Sequence, residues 1–167
     1  MYQRILLAID TTPTEENRSA LNRTEQIGRL TGATVYLLHV ARAHIVPGDL
    51  IGGSGLGVLS AEDDVEAVDR QAVQQLVDSL AAAGVEAHGE IVSATEHDVA
   101  EVILQRAKEL DVDLIVLGHQ HHRGAGNLFQ ASVSERVIRQ AATLRRKGPK
   151  RLLIVNFQGD GITLWRA

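Results

Sequence analysis

Short apolar runs alternate with longer amphipathic stretches along this chain, and this alternation constrains the fold more than any other feature. The apolar runs cover residues 4–10, 33–40, 85–92, 113–118 and 151–157. The stretches between them repeat apolar residues every three or four positions, which is typical of helices that bury one side. The order is therefore βαβαβαβαβ. It predicts a parallel sheet with right-handed crossovers and with helices on both faces.

The composition agrees with one domain that has an aliphatic core. Of the 167 residues, 44% are hydrophobic but only 3% are aromatic, and buried parallel strands favour valine, isoleucine and leucine. We assign residues 1–157 to a single domain and residues 158–167 to a C-terminal tail, in which residues 161–165 could add a short edge strand or cover a dimer seam. The absence of cysteine excludes disulfides, thiolate zinc sites and cysteine nucleophiles.

Charge and hydropathy argue against nucleic acid and membranes as partners. The formal net charge of -4 gives no overall attraction to nucleic acid or to anionic lipid. No apolar run approaches the roughly 20 residues that span a bilayer. The apolar run near the start ends at Asp10 and is too short for a signal peptide, so we expect a cytoplasmic protein. The basic stretch 145–151 has no interleaved aromatic residues, and we interpret it as a solvated connection.

Local signals predict the ends of two helices. Thr12 and Glu15 form a capping box at the start of the first helix, and Gly32 predicts its end. Ser132 and Glu135 form a second capping box, which predicts the start of the last helix.

Four segments together resemble the universal stress protein family. They are RILLAID at 4–10, LLHV at 37–40, DLIVLG at 113–118 and SVSERVI at 132–138. They follow the family's order and spacing from residue 4 to about residue 142. The resemblance implies a three-layer, flavodoxin-like fold of the adenine nucleotide alpha hydrolase type, with a five-stranded parallel sheet of order 3-2-1-4-5. It also implies a non-catalytic stress-response protein that acts as a homodimer.

The resemblance implies an adenosine side for a nucleotide site. Ligands of such sheets bind beyond the carboxyl ends of the strands, where the strand order reverses. Asp10 resembles the family's adenosine-side aspartate, and Val40 resembles a residue whose backbone meets the adenine. Each residue also has a simpler interpretation, because Asp10 can form a strand-end turn and Val40 can be an ordinary core residue.

The phosphate side of that site is implied by five further residues. Gly118 resembles the first glycine of the family's phosphate loop, and Ser132 and Val133 resemble the start of the helix that follows it. His119 and Arg123 would then lie near the phosphates. A helix N-terminus is a natural anion site. However, the capping role of Ser132 explains that residue without a ligand.

The phosphate loop departs from the ATP-binding pattern of the family. That pattern has a glycine, two residues, a glycine, nine residues, and then a glycine with serine or threonine. Gly118 and Ser132 fit, but His121 and Ala131 stand where the second and third glycines belong. Side chains at these positions keep backbone N–H groups away from phosphates. The sequence therefore favours a branch without tight ATP binding; the alternative is an ATP- or adenine-nucleotide-binding regulatory switch.

Two further hypotheses have less support in the sequence. The stretch 118–124 has three histidines, but no cysteine or carboxylate nearby completes a metal-ligand set, so we predict a polar loop without a metal. An adenine-nucleotide hydrolase or transferase would need a nucleophile with its base or a Walker sequence, and neither is visible.

The family's ATP-binding branch uses the fifth strand for dimerisation. The basic stretch and the tail argue against that interface in this chain.

Overall fold

The chain forms alternating strands and helices in the predicted order. The computed structural model describes residues 2–42, 59–95, 97–118, 133–144, 153–158 and 161–166. The strands are β1 (Arg4–Ala8), β2 (Thr34–Arg42), β3 (Ala87–Ala94), β4 (Leu114–Leu117), β5 (Leu153–Gln158) and β6 (Gly161–Arg166). The helices are α1 (Glu15–Thr31), α2 (Leu59–Ala82), α3 (Val99–Glu109) and α4 (Val133–Leu144).

The strands form a single sheet in the order β3-β2-β1-β4-β5-β6. The first five strands pair in parallel, which confirms the order 3-2-1-4-5. β6 runs antiparallel to β5, from Leu153 opposite Arg166 to Gln158 opposite Gly161. The tail therefore adds the edge strand that its sequence suggested.

Alternate side chains of the strands build a core on each side of the sheet. In β1, Leu6 and Ala8 belong to the cluster that also contains the buried residues of α3 and α4. Ile5 and Leu7 belong to the opposite cluster, together with buried residues of α1 and α2. Both faces of the central strands are thus removed from water, which explains why their sequences are continuously apolar rather than alternating.

The ends of α1 agree only in part with the sequence. Gly32 ends the helix with φ of 68°, and its N–H donates to Gly28 O at 2.8 Å, as predicted. The prediction that Thr12 caps the helix was wrong. Thr14 is the N-cap, because its Oγ1 accepts from Asn17 N at 3.1 Å, whereas the Thr12 hydroxyl donates to Asp10.

Candidate functional site

The carboxyl ends of β1, β2 and β4 meet at one edge of the sheet. Ala8 of β1 lies opposite Leu38 of β2 and Leu117 of β4. The pairing continues one residue further, since Ile9 N donates to Leu38 O at 3.1 Å and Gly118 N donates to Ala8 O at 3.0 Å. The strand order reverses between β1 and β4. Ligands of open parallel sheets bind at such a reversal.

We call this region the switch edge and define it by Asp10, Val40 and Gly118. The three residues lie far apart in sequence, and the parallel pairing of their strands brings them to the same edge. Among the other predicted site residues, Val133 is the first residue of α4, whereas His119, Arg123 and Ser132 lie outside the described residues. The role of any of them in binding a ligand stays a prediction.

Asp10 closes the turn that follows β1. Its Oδ1 accepts from Thr12 N at 3.0 Å and from Thr12 Oγ1 at 3.1 Å. Asn17 of α1 also holds this turn, because its Nδ2 donates to Asp10 O at 3.1 Å and to Thr12 O at 2.8 Å. Asp10 is therefore a turn former, as its simpler interpretation predicted. Its second carboxylate oxygen has no hydrogen-bond partner among the residues that the structure describes.

The side chains of Val40 and Val133 are buried in the core on the α3 and α4 side of the sheet. A ligand at the switch edge could therefore meet only their backbone atoms. For Val40 this agrees with the backbone role that the family resemblance implies. It agrees equally with the simpler interpretation of a core strand residue.

Gly118 is a glycine for a reason of packing. A Cβ atom at this position would lie 2.3 Å from Asn17 Oδ1, far inside normal contact distance. Asn17 is only 4% exposed, and its Oδ1 has no hydrogen-bond partner within the described part of the chain. Positive φ angles among the described glycines occur at Gly32 and Gly84. The close approach of a buried carboxamide, rather than backbone freedom, thus explains the glycine at 118.

A chain of polar contacts ties α2 to the switch edge. Thr11 Oγ1 donates to Asp69 Oδ1 at 2.8 Å, and Asp69 Oδ2 lies 3.4 Å from His39 Nε2. The other ring nitrogen of His39, Nδ1, lies 3.2 Å from Ile9 O. His39 is 5% exposed and the Asp69 side chain is 16% exposed. Buried polar groups need partners, and here each one satisfies another.

A groove of about 440 Å³ adjoins the switch edge. It lies between the turn after β1, helix α1 and helix α2. Its lining surface is mostly apolar, and Leu21 and Leu76 are among the lining residues. It includes Asp10 but neither Val40 nor Gly118. The groove therefore meets the switch edge only at the β1 side.

The described ranges contain neither a metal-binding group of side chains nor a membrane-spanning helix. No group of three His, Cys, Asp or Glu side chains is placed there to hold a metal ion. The histidines at 119, 121 and 122 fall outside those ranges. Among the described helices, none combines the length and the apolar character that crossing a membrane requires.

Sequence reasoning missed four residues of this region, Thr11, Asn17, His39 and Asp69. Thr11 and Asp69 are 58 positions apart, so no local pattern could pair them. A signal did exist for His39, because a titratable residue inside the apolar strand LLHV needs buried partners. The signal for Asn17 was weaker. It lies on the buried side of α1, where a polar residue is an exception that needs hydrogen-bond partners.

Several solved structures with this fold are universal stress proteins. A universal stress protein family member from Burkholderia pseudomallei is 23% identical, with a TM-score of 0.63 over 92% of this chain and 95% of that chain. A universal stress protein from Archaeoglobus fulgidus in complex with dAMP is 22% identical, with a TM-score of 0.56 over 94% of this chain and 98% of that chain.

A third structure, of a universal stress protein in complex with cAMP, is 17% identical, with a TM-score of 0.55 over 93% of this chain and 97% of that chain. Such low identities establish a shared fold and no more. No curated protein matches the sequence. The family model described as "Universal stress protein family" matches residues 1–143 of the 167-residue chain. The chain belongs to the universal stress protein family.

Proposed function

We propose that this chain is a cytoplasmic, non-catalytic stress-response protein that acts as a homodimer and does not bind ATP tightly. We further propose that the switch edge takes an adenine mononucleotide. One observation carries this proposal. Asp10 and Val40, to which the family resemblance gives the adenosine side, share an edge with Gly118, whereas His121 and Ala131 stand where the ATP-binding pattern has glycines.

The adenosine side supports a ligand of this kind through one carboxylate and one backbone segment. The turn after β1 is already closed by hydrogen bonds from Thr12 and Asn17, so Asp10 is held in place before any ligand arrives. Preorganisation of this kind lowers the entropy cost of binding. The second oxygen of Asp10 is available to accept a ribose hydroxyl, and the backbone of Val40 can meet the base.

The phosphate side supports one phosphate better than three. An α-phosphate needs few N–H groups, and the N-terminus of α4, which begins at Val133, offers a favourable dipole. The β- and γ-phosphates would need close backbone approach where His121 and Ala131 carry side chains. The structures with dAMP and cAMP support the proposal in the same sense, because each of those ligands has a single phosphate.

The contacts among Thr11, Asp69 and His39 differ in order from those of a catalytic triad, as expected if the proposed protein is not catalytic. Nucleophilic catalysis by a hydroxyl needs a base in contact with that hydroxyl, and a third group behind the base. In this chain the carboxylate, and not the imidazole, lies next to the hydroxyl. The Thr11 hydroxyl contacts the Asp69 carboxylate, and His39 lies on the far side of that carboxylate, against Ile9 O. The imidazole therefore has no contact with the hydroxyl that it would need to deprotonate.

The dimer would have to use a surface other than the outer edge of β5. That edge is paired with β6 of the same chain over six residues in regular antiparallel register. We expect light scattering coupled to gel filtration to give twice the chain mass at micromolar concentration. A monomer mass under those conditions would reject the homodimer.

Titration with two nucleotides tests the ligand. We expect AMP to bind by calorimetry about tenfold more tightly than ATP with magnesium, a difference of about 1.4 kcal/mol. Small molecules released from the denatured, purified protein should contain AMP rather than ATP. Tight ATP binding, or ATP released on denaturation, would instead support the regulatory switch.

Restoring the motif tests the cause. The double substitution His121→Gly and Ala131→Gly should raise ATP affinity by about tenfold and leave AMP affinity nearly unchanged, since it adds backbone access to the β- and γ-phosphates. His122→Gly is the control, because it makes the same His-to-Gly change in the spacer of the motif, one position after the place of its second glycine. If the control raises ATP affinity equally, flexibility rather than the motif limits ATP binding.

A further inference from the structure

Asp69 of α2 connects the two places where the proposed adenosine would sit. It accepts from Thr11, the residue directly after Asp10, at 2.8 Å. It also lies 3.4 Å from the ring of His39, the residue directly before Val40. A single carboxylate on a helix therefore contacts the immediate neighbours of both adenosine-side residues. No ligand needs to touch Asp69 for its position to matter.

These contacts are sheltered from water, which makes them strong enough to define geometry. His39 is 5% exposed and the Asp69 side chain is 16% exposed. In such surroundings a polar contact is stronger than at the surface, and a lost partner costs more. The position of α2 and the spacing between the ends of β1 and β2 are consequently linked.

The contact between Asp69 and His39 requires a proton. Ile9 O can only accept, so Nδ1 of His39 must carry a hydrogen to bond it across 3.2 Å. A neutral imidazole then has no hydrogen on Nε2, which faces Asp69 Oδ2. The contact is complete only when one proton lies between these two atoms. An asparagine at position 69 would reproduce it, since Nδ2 would donate to Nε2 and Oδ1 would still accept from Thr11.

We propose that Asp69 is a positioning residue for the nucleotide site, and that it couples the position of α2 to nucleotide affinity. This inference rests on the function proposed above. Because coupling between two parts of a protein is reciprocal, nucleotide binding would in turn hold α2 in place. Nucleotide binding at the switch edge would thereby change the position or mobility of α2, a helix with exposed residues on the protein surface.

The affinity of AMP for four variants and one control variant tests the coupling. Asp69→Ala and Thr11→Val should each weaken AMP binding by at least about fivefold, the lower end of typical couplings. The double variant should be no weaker than Asp69→Ala alone, because both changes break one connection. Asp69→Asn should stay within about twofold of the wild type, because its amide replaces the shared proton. Asp78→Ala is the matched control, since Asp78 is an exposed residue of α2 whose Oδ1 accepts from its helix neighbour Gln74 at 2.8 Å.

The same variants without nucleotide separate this inference from the proposed function. Hydrogen exchange at the Thr12 amide, which donates to Asp10, should become faster in Asp69→Ala and Thr11→Val but not in Asp69→Asn or Asp78→Ala. If the wild type binds no AMP but this exchange pattern appears, the proposed ligand is wrong and the positioning role of Asp69 stands. Unchanged exchange and unchanged AMP affinity in Asp69→Ala would overturn the positioning role. An Asp69→Asn variant that behaves like Asp69→Ala would overturn the shared proton.

Discussion

The two strands that flank the switch edge end in different ways. After β1, the β1 rim (residues 9–14) is held by side-chain hydrogen bonds from Thr12, Asn17 and Thr11. After β4, the β4 rim (Gly118) is held by a backbone bond to Ala8, and it has no room for a side chain, because a Cβ would lie 2.3 Å from Asn17 Oδ1. The β1 rim thus depends on hydrogen bonds of polar groups, whereas the β4 rim depends on the absence of a side chain at Gly118.

The two rims should therefore respond to opposite kinds of change. The β1 rim has several hydrogen bonds, so the loss of one leaves others in place, and a typical bond contributes about 1 kcal/mol. The β4 rim has no such redundancy. A buried site without spare volume reacts to added atoms through strain, which costs about 1–3 kcal/mol. The β4 rim should therefore be the more sensitive of the two.

Gly118→Ala should give the largest loss of stability. Its Cβ would lie 2.3 Å from Asn17 Oδ1, which is held by the two hydrogen bonds of the same carboxamide. We expect the free energy of unfolding to fall by about 3 kcal/mol, the upper end for overpacking. Urea denaturation measures it. A loss no larger than that of Thr14→Ala would remove the contrast between the rims.

The cause of that loss can be isolated with a second substitution. Asn17→Ala removes the carboxamide, so the cost of Gly118→Ala should be clearly smaller in that background, and the two losses should not add. Gly84→Ala is the control. Gly84 has φ of 80° and no atom within 4 Å of an added Cβ, so its strain is local. The losses in unfolding free energy of Gly84→Ala and Asn17→Ala should therefore add in the double variant. If the losses of Gly118→Ala and Asn17→Ala also add, the two rims do not interact.

Thr14→Ala should have an intermediate effect at the β1 rim. It removes the N-cap bond to Asn17 N and should lower the free energy of unfolding by about 1 kcal/mol. Thr31→Ala in the last turn of α1 is the control, because its hydroxyl bonds back to Ile27 O within the helix and caps nothing. Equal losses for the two variants would argue that capping does not stabilise this rim.

Glu109→Gln on α3 should have the smallest effect and serves as a reference away from both rims. Hydrogen bonds from Gln105 and Arg106 lower the pKa of the Glu109 carboxyl below its usual value. A pKa that is lower in the folded state stabilises the protein above the unfolded-state pKa and loses that effect as the pH falls through the folded-state pKa.

The melting temperature of wild type should therefore exceed that of Glu109→Gln slightly at about pH 7, and the gap should narrow as the pH falls through the folded-state pKa of Glu109. Exposed ion pairs contribute little, so this gap should stay below the effect of Thr14→Ala. A gap that persists at low pH would mean that the carboxylate charge is not its source.

The strands and the end of α1 could be predicted because their signals are local. The apolar run that contains Leu114 and Leu117 needs no partner to be recognised as a buried strand, and Gly32 marks a helix end by its own backbone. The N-cap could not be decided in this way. Thr12 and Thr14 are equally good caps in sequence, and the carboxylate of Asp10 decided between them by binding Thr12.

By itself the sequence determined the alternation of strands and helices, the aliphatic core, and the presence of His121 and Ala131 where the family's ATP-binding pattern has glycines, because each depends on residue type and short-range spacing. Only the tertiary structure decided that Asp69 meets Thr11 and His39, and that Gly118 must be bare beside Asn17. The physical reason is that side-chain contacts form between elements whose separation along the chain carries no period. Packing, not pattern, selects which polar groups share a buried site.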